Sequence, residues 1–115
     1  MLRGDVYWVD LDPSMGSEAD KMRPAVVVSN DACNRAADRH GRGVITVVPV
    51  TSNVARVHPF QVALPADSCG LAVDSKAQAE QVRSVAVERL RRRAGHVSAT
   101  LLRAIDGALR LHLAL

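Results

Sequence analysis

The stretch "GVITVVPVTS" (Gly43 to Ser52) constrains the fold more than any other part of the chain. Thr46 is the one polar residue between Val44 and Val50. A strand of this kind has no face to give to water, so it belongs inside, covered on both faces. Pro49 offers no backbone donor and therefore needs an edge position or a bulge. With 115 residues, the chain has room for one domain, residues 1–115, built around one core. Such a chain buries roughly two-thirds of its unfolded surface, enough for a small independent fold, with obligate dimerisation still open.

The segments around that strand are mostly of period 2. "DVYWVDL" (Asp5 to Leu11) puts Tyr7, Val9 and Leu11 on one face and Val6 and Trp8 on the other. An eleven-residue polar connection, "DPSMGSEADKM" (Asp12 to Met22), follows, and long connections on rigid scaffolds often carry function. "PAVVVSN" reads as the second strand. "DACNRAADRHG" reads as a short helix capped by Asn30 or Asp31 and stopped by Gly41. "FQVAL" alternates, and Ser75 to Val87 predicts one long bent strand or a hairpin. From the N-cap Ser98, residues Leu101, Leu102, Ile105, Leu109 and Leu113 recur at helical spacing. The pattern predicts a mainly β (α+β) domain: a strongly curved sheet or small barrel with one C-terminal helix packed on it.

Several function classes are disfavoured. "MLRGDVYWVDLD" mixes charges with apolar residues and is not expected to be a signal peptide. "VITVVPV" is too short to cross a bilayer. A cytoplasmic protein without a membrane partner is the expectation, and Cys33 and Cys69 then read as reduced thiols. The four histidines are scattered, and no HExxH, CxxC, G-x-S-x-G or phosphate-loop pattern occurs, so neither a metal nor another cofactor is expected. Thirteen of the fifteen basic residues are arginine, four of them within "RLRRR" (Arg89 to Arg93). Arginine suits phosphate better than lysine does, so a polyanionic or acidic partner is expected, with a solvated turn as the plainer reading of the cluster.

The remaining candidates are polar residues at strand ends. Arg23 precedes Pro24, which biases it toward an extended backbone and so defines its direction. Thr51, Ser52 and Asn53 follow the buried strand. Glu80, Gln81 and Arg83 lie in "AEQVRS". If the second and third strands are neighbours, Arg23 and Thr51 converge on one groove. A guanidinium beside a hydroxyl suits a phosphate whose charge grows in a transition state. Taken singly, each of these residues also has a structural reading, as a strand-end charge or a turn cap.

The segments "RGDVYWVDLDPSMGSE", "RPAVVVSND", "VVPVTSN", "HPFQVAL" and "AEQVRSV" occur in an order and spacing that resemble the MazF/PemK family of toxin–antitoxin endoribonucleases. The resemblance covers nearly the whole chain. It implies a small SH3-like β-barrel of the MazF/PemK/CcdB toxin type with a C-terminal helix, assembled as a homodimer. It also implies sequence-selective, metal-independent cleavage of single-stranded RNA (mRNA, rRNA or tRNA) to 2′,3′-cyclic phosphate and 5′-hydroxyl ends, blocked by a cognate acidic antitoxin. The family's catalytic arginine falls on Arg23 and its catalytic threonine on Thr51.

Glu80 and Glu18 are the carboxylates available as general base, with Glu80 ranked slightly ahead. In the PemK branch an arginine stands two residues before that acid, where this chain has Gln78, so the pairing does not carry over. RNA-binding residues are expected at Gly16, Ser17, Glu18, Pro24, Ser52, Asn53, Gln81 and Arg83, with Ser14 to Met22 as a flap. Tyr7 and Phe60 are expected in packing, and Trp8 either in packing or as a groove wall. A gyrase poison of the CcdB type is a weaker alternative, because no tryptophan follows Trp8. A non-catalytic RNA-binding module of the same shape is the other.

Overall fold

The computed structural model describes residues 1–11 and 22–115. The elements run β1 (Asp5–Asp10), β2 (Met22–Val27), α1 (Asp31–His40), β3 (Val44–Thr51), β4 (Gln61–Leu64), α2 (Ala66–Cys69), β5 (Ser75–Gln78), β6 (Arg83–Ala86), β7 (Leu90–His96) and α3 (Ala99–Leu113). The strands form a single antiparallel sheet in the order β4-β5-β3-β2-β1-β7, with β6 also paired to β3.

The helices start and stop where local chemistry directs. Asn30, not Asp31, caps α1 by accepting from the Cys33 N–H, and Gly41 ends it in the left-handed region at φ 65°. Ser98 caps α3 through the Leu101 N–H. Among the described residues no helix is long and apolar enough to cross a membrane.

Alternation along the strands divides the core in two. Val6, Val26, Val48 and Val50 pack with Ile105 of α3 on one face. Val9, Ala25, Val27, Ile45 and Val47 pack with Ala37 of α1 on the other. As its composition predicts, β3 is buried on both faces.

Pro49 is neither on an edge strand nor at a bulge. On one side β3 pairs with β2, through Ala25–Pro49, Val26–Val48 and Val27–Val47. On the other side it pairs with β6 as far as Val47–Arg83 and with β5 from Val50–Ala77. The Val28 N–H donates to the Thr46 carbonyl across β2, so alternation turns the odd-numbered positions of β3 the other way. Pro49 thus points its donorless nitrogen at the interval between β6 and β5. That interval is a 3-10 turn, Ala79–Gln81. The predicted long strand from Ser75 is therefore one bent path along β3, broken opposite the proline.

The predicted barrel is not closed. β4 and β7 are the ends of the sheet, and α2, which follows β4, lies against β7. The contact is very tight: a Cβ on Gly95 would stand 2.2 Å from the Cys69 carbonyl oxygen, and one on Gly70 2.1 Å from that of Ala94. The plainer reading of Arg89 to Arg93 as a solvated turn is also corrected, because Leu90–His96 is β7. This segment is a strand, bulged twice against β1, and its arginines bind β1 instead of projecting freely into solvent. Arg93 and His96 Nδ1 lie 3.2 and 3.0 Å from Asp5 Oδ1, and the Leu2 N–H donates to the other carboxylate oxygen at 2.9 Å. Burial pushes the Asp5 carboxyl upward, but the Leu2 N–H, His96 and Arg93 together outweigh it and hold it below its ordinary value.

Two measurements check this account. Gly95→Ala forces backbone apart at the α2–β7 contact and is expected to cost about 1–3 kcal/mol in urea unfolding. Asp5 is the more stabilising in its charged form, so its contribution is complete above its unfolded value, near ~4, and fades as pH falls through the lower folded value. Asp5→Asn is expected to lose about 1–3 kcal/mol at neutral pH. Its deficit against the parent should shrink in acid, which a pH series of melting curves reads directly.

Candidate active site

Arg23 and Thr51 meet because β2 and β3 are adjacent. Continuing their register two residues beyond the Ala25–Pro49 pair sets Arg23 opposite Thr51. A groove of about 420 Å³ opens at these strand ends, lined by Arg23, Pro24, Thr51 and Ser52 together with Trp8 and the connection Leu71 to Val73. Pro24 stands directly across from Trp8 in the β1–β2 ladder. Arg23 is exposed, and among the described residues no carboxylate pairs with it. Its guanidinium is thus available to an anion. Thr51 Oγ1 accepts from the Asn53 N–H at 3.2 Å, and Asn53 Oδ1 accepts from the Ala55 N–H at 3.3 Å. Two consecutive side-chain-capped turns therefore shape the exit from β3. The Thr51 hydroxyl keeps its own proton for a ligand oxygen.

The other expected residues are more dispersed. Asn53 shapes the turn and does not line the groove. Glu80 lies in the 3-10 turn outside the groove, accepting from Gln61 Nε2 at 2.7 Å. Its Oε1 is buried without a hydrogen-bond partner among the described residues. Gln81 is exposed on the same turn. Arg83 donates to the Leu11 carbonyl at 2.6 Å and so anchors the end of β1. Gly16, Ser17 and Glu18, and nearly all of the expected flap, fall outside the described residues. Tyr7 packs on the α1-side core. Phe60 stacks on His58 at 5.1 Å. Trp8 takes the groove-wall role.

Two contributors had no distinct sequence signal. Lys76 is paired with Thr51 in the β3–β5 ladder. It is only 8% exposed, and its Nζ donates to the Arg56 carbonyl at 2.5 Å, fastening the chain that leaves Thr51. Gln61 joins the same segment to Glu80, since its Oε1 accepts from the His58 N–H at 3.0 Å. A lysine inside a buried strand and a glutamine opening one are weak cues until the neighbouring strands are known.

A sequence model for the PemK-like, MazF-like toxins of type II toxin–antitoxin systems matches residues 2–113. The chain belongs to this family. It is 65% identical over 113 residues to endoribonuclease MazF9 of Mycobacterium tuberculosis, covering 98% of this chain and 96% of that one. It is 33% identical over 114 residues to endoribonuclease EndoA of Bacillus subtilis, covering 98% and 94%. A solved mycobacterial endoribonuclease in complex with its cognate antitoxin superposes with a TM-score of 0.76 at 26% identity, covering 100% of this chain and 96% of that one.

Within this PemK/MazF-like fold the acid position has its own arrangement. Gln78, standing where the PemK branch is expected to carry arginine, pairs across the ladder with Gln61. Gln61, rather than residue 78, supplies the donor to Glu80. Gln61→Leu is expected to strand both the Glu80 carboxylate and the His58 N–H, costing about 2–3 kcal/mol in urea unfolding.

Proposed function

We propose that this protein is a toxin that cuts single-stranded RNA by sequence-selective transesterification without a metal ion. The convergence of Arg23 and Thr51 on one groove carries the reading. Supporting it are family membership and the endoribonuclease names of two relatives that align over nearly the whole chain. In the reaction the ribose 2′-oxygen attacks the adjacent phosphorus as its proton passes to solvent water. The P–O5′ bond then breaks, and the departing 5′-oxygen takes a proton. The products are a 2′,3′-cyclic phosphate and a 5′-hydroxyl.

Arg23 stabilises the charge that builds on the phosphorane oxygens and is placed to donate to the leaving oxygen. A guanidinium has five N–H donors and no acceptor, so it does not serve as the base. Thr51 donates its hydroxyl proton to a phosphoryl oxygen. Ser52 adds a second hydroxyl to the phosphate-binding edge, and Pro24 lines the groove beside it. The Glu80 carboxylate, bonded to Gln61 away from the groove, is left outside this assignment. The protein works in the cytoplasm as a homodimer, and an acidic antitoxin silences it by occupying the positively charged groove. The solved complex of a mycobacterial relative with its antitoxin supports that mode of control.

The deciding experiment treats mixed-sequence single-stranded RNA, and matched DNA, with the protein in EDTA and analyses the product ends. RNA-only cutting with cyclic-phosphate ends is expected. Arg23→Ala and Thr51→Ala should each lose about a hundredfold or more in kcat/KM. Cutting that persists in both variants, or that stops in EDTA, would overturn the assignment. A folded dimer that cuts no RNA would favour the gyrase-poison or binding-module alternatives.

A further inference from the structure

We propose that Trp8 and Arg92 form a second RNA subsite on the groove, taking a nucleotide that flanks the cleaved phosphate. The inference rests on the ribonuclease reading above and extends it to a strand, β7, that the Arg23–Thr51 site does not use. Its basis is how the four arginines of Arg89 to Arg93 are divided. Arg89 donates to the Asp10 carbonyl at 3.2 Å. Arg91 lies 3.7 Å from the Asp10 carboxylate and also donates to the Glu88 carbonyl. Arg93 pairs with Asp5. Arg92 alone has no carboxylate or carbonyl partner among the described residues. Its guanidinium carbon stands 5.6 Å from the centroid of the Trp8 ring.

Trp8 is a groove wall, so the one unspent cation of the cluster extends the groove. The strand order β3-β2-β1-β7 sets β7 three strand spacings from Thr51, roughly 14 Å. An RNA strand with its scissile phosphate at Arg23 and Thr51 passes Pro24 and Trp8 on the way to Arg92. A guanidinium held over an indole keeps its edge N–H groups free for a phosphate, and the paired π surfaces offer a base somewhere to stack. A nucleotide uses both properties. An acidic peptide would use only the charge, which favours RNA as the occupant.

The test uses a fluorescently labelled, mixed-sequence 2′-O-methyl RNA, which lacks the attacking hydroxyl and is not cut. Its affinity is measured over a salt series for the parent, Arg92→Ala, Arg92→Lys and Arg91→Ala. Arg92→Ala is expected to bind about five- to tenfold more weakly and to flatten the log–log salt slope by about 0.7. Arg92→Lys should restore the slope but only part of the affinity, and Arg91→Ala should match the parent. Trp8 is the chain's only tryptophan, so its fluorescence should change as the probe binds.

Parent-like affinity and slope in Arg92→Ala, with the parent still cutting RNA, would overturn this inference and leave the ribonuclease reading standing. So would equal losses in Arg91→Ala and Arg92→Ala. Unchanged RNA binding with weakened binding of a polyglutamate peptide would overturn it by assigning the pair to an acidic protein partner. A parent protein that neither cuts RNA nor binds the probe would overturn the ribonuclease reading, and this inference with it.

Discussion

A strand that is apolar on both faces has to have both edges paired as well, because its backbone groups are then out of reach of water. β3 meets that requirement by taking β2 along one edge and β6 and β5 in succession along the other. Pro49 sets where the second edge changes hands: it has no N–H to offer, so a 3-10 turn fits opposite it without leaving a donor unsatisfied. The candidate site follows from this arrangement. Thr51 is the residue at which β3 leaves the core, and β2, as an obligatory neighbour, brings Arg23 to its side.

The far edge of the sheet is organised by charge. Asp5 is buried, and its carboxylate is held by an N–H from residue 2 and by Arg93 and His96 from β7. A buried carboxylate is costly unless paired in this way, so the ion pair and the strand pairing depend on each other. Further along, Arg89 and Arg91 both engage Asp10. A cluster that looks in the sequence like a basic surface patch is mostly an intramolecular clamp. What it offers to a partner is narrowed to Arg92, beside the tryptophan at the groove.

Around the groove, rigidity comes from polar bonds more than from apolar packing. The segment leaving Thr51 is tied by turns at Thr51 and Asn53, by Lys76 to the Arg56 carbonyl and by Gln61 to the His58 N–H. Such ties fix the chain that leaves Thr51 at the groove edge.

Much was legible in the sequence because it depends on residues a few positions apart. Period-2 alternation assigned Val6 and Trp8 to one face of β1 and Tyr7, Val9 and Leu11 to the other, and a cap at Asn30 or Asp31, a stop at Gly41 and a cap at Ser98 marked two helices. Pro24 marked Arg23 as extended, and the strand-end positions of Arg23 and Thr51 implied that they converge if the second and third strands are neighbours, which they are. The tertiary structure alone decided matters of long-range pairing and register. The two bulges of β7 against β1 are one: each slip of one residue exchanges the faces of the side chains beyond it. No local pattern in "RLRRR" could therefore say which arginine meets Asp5, 88 positions away, and which meets Trp8. The open sheet was also decided there, with β4 and β7 at its two ends and α2 packed against β7. So was the position of Glu80, whose partner Gln61 lies on a strand that only the ladder brings alongside.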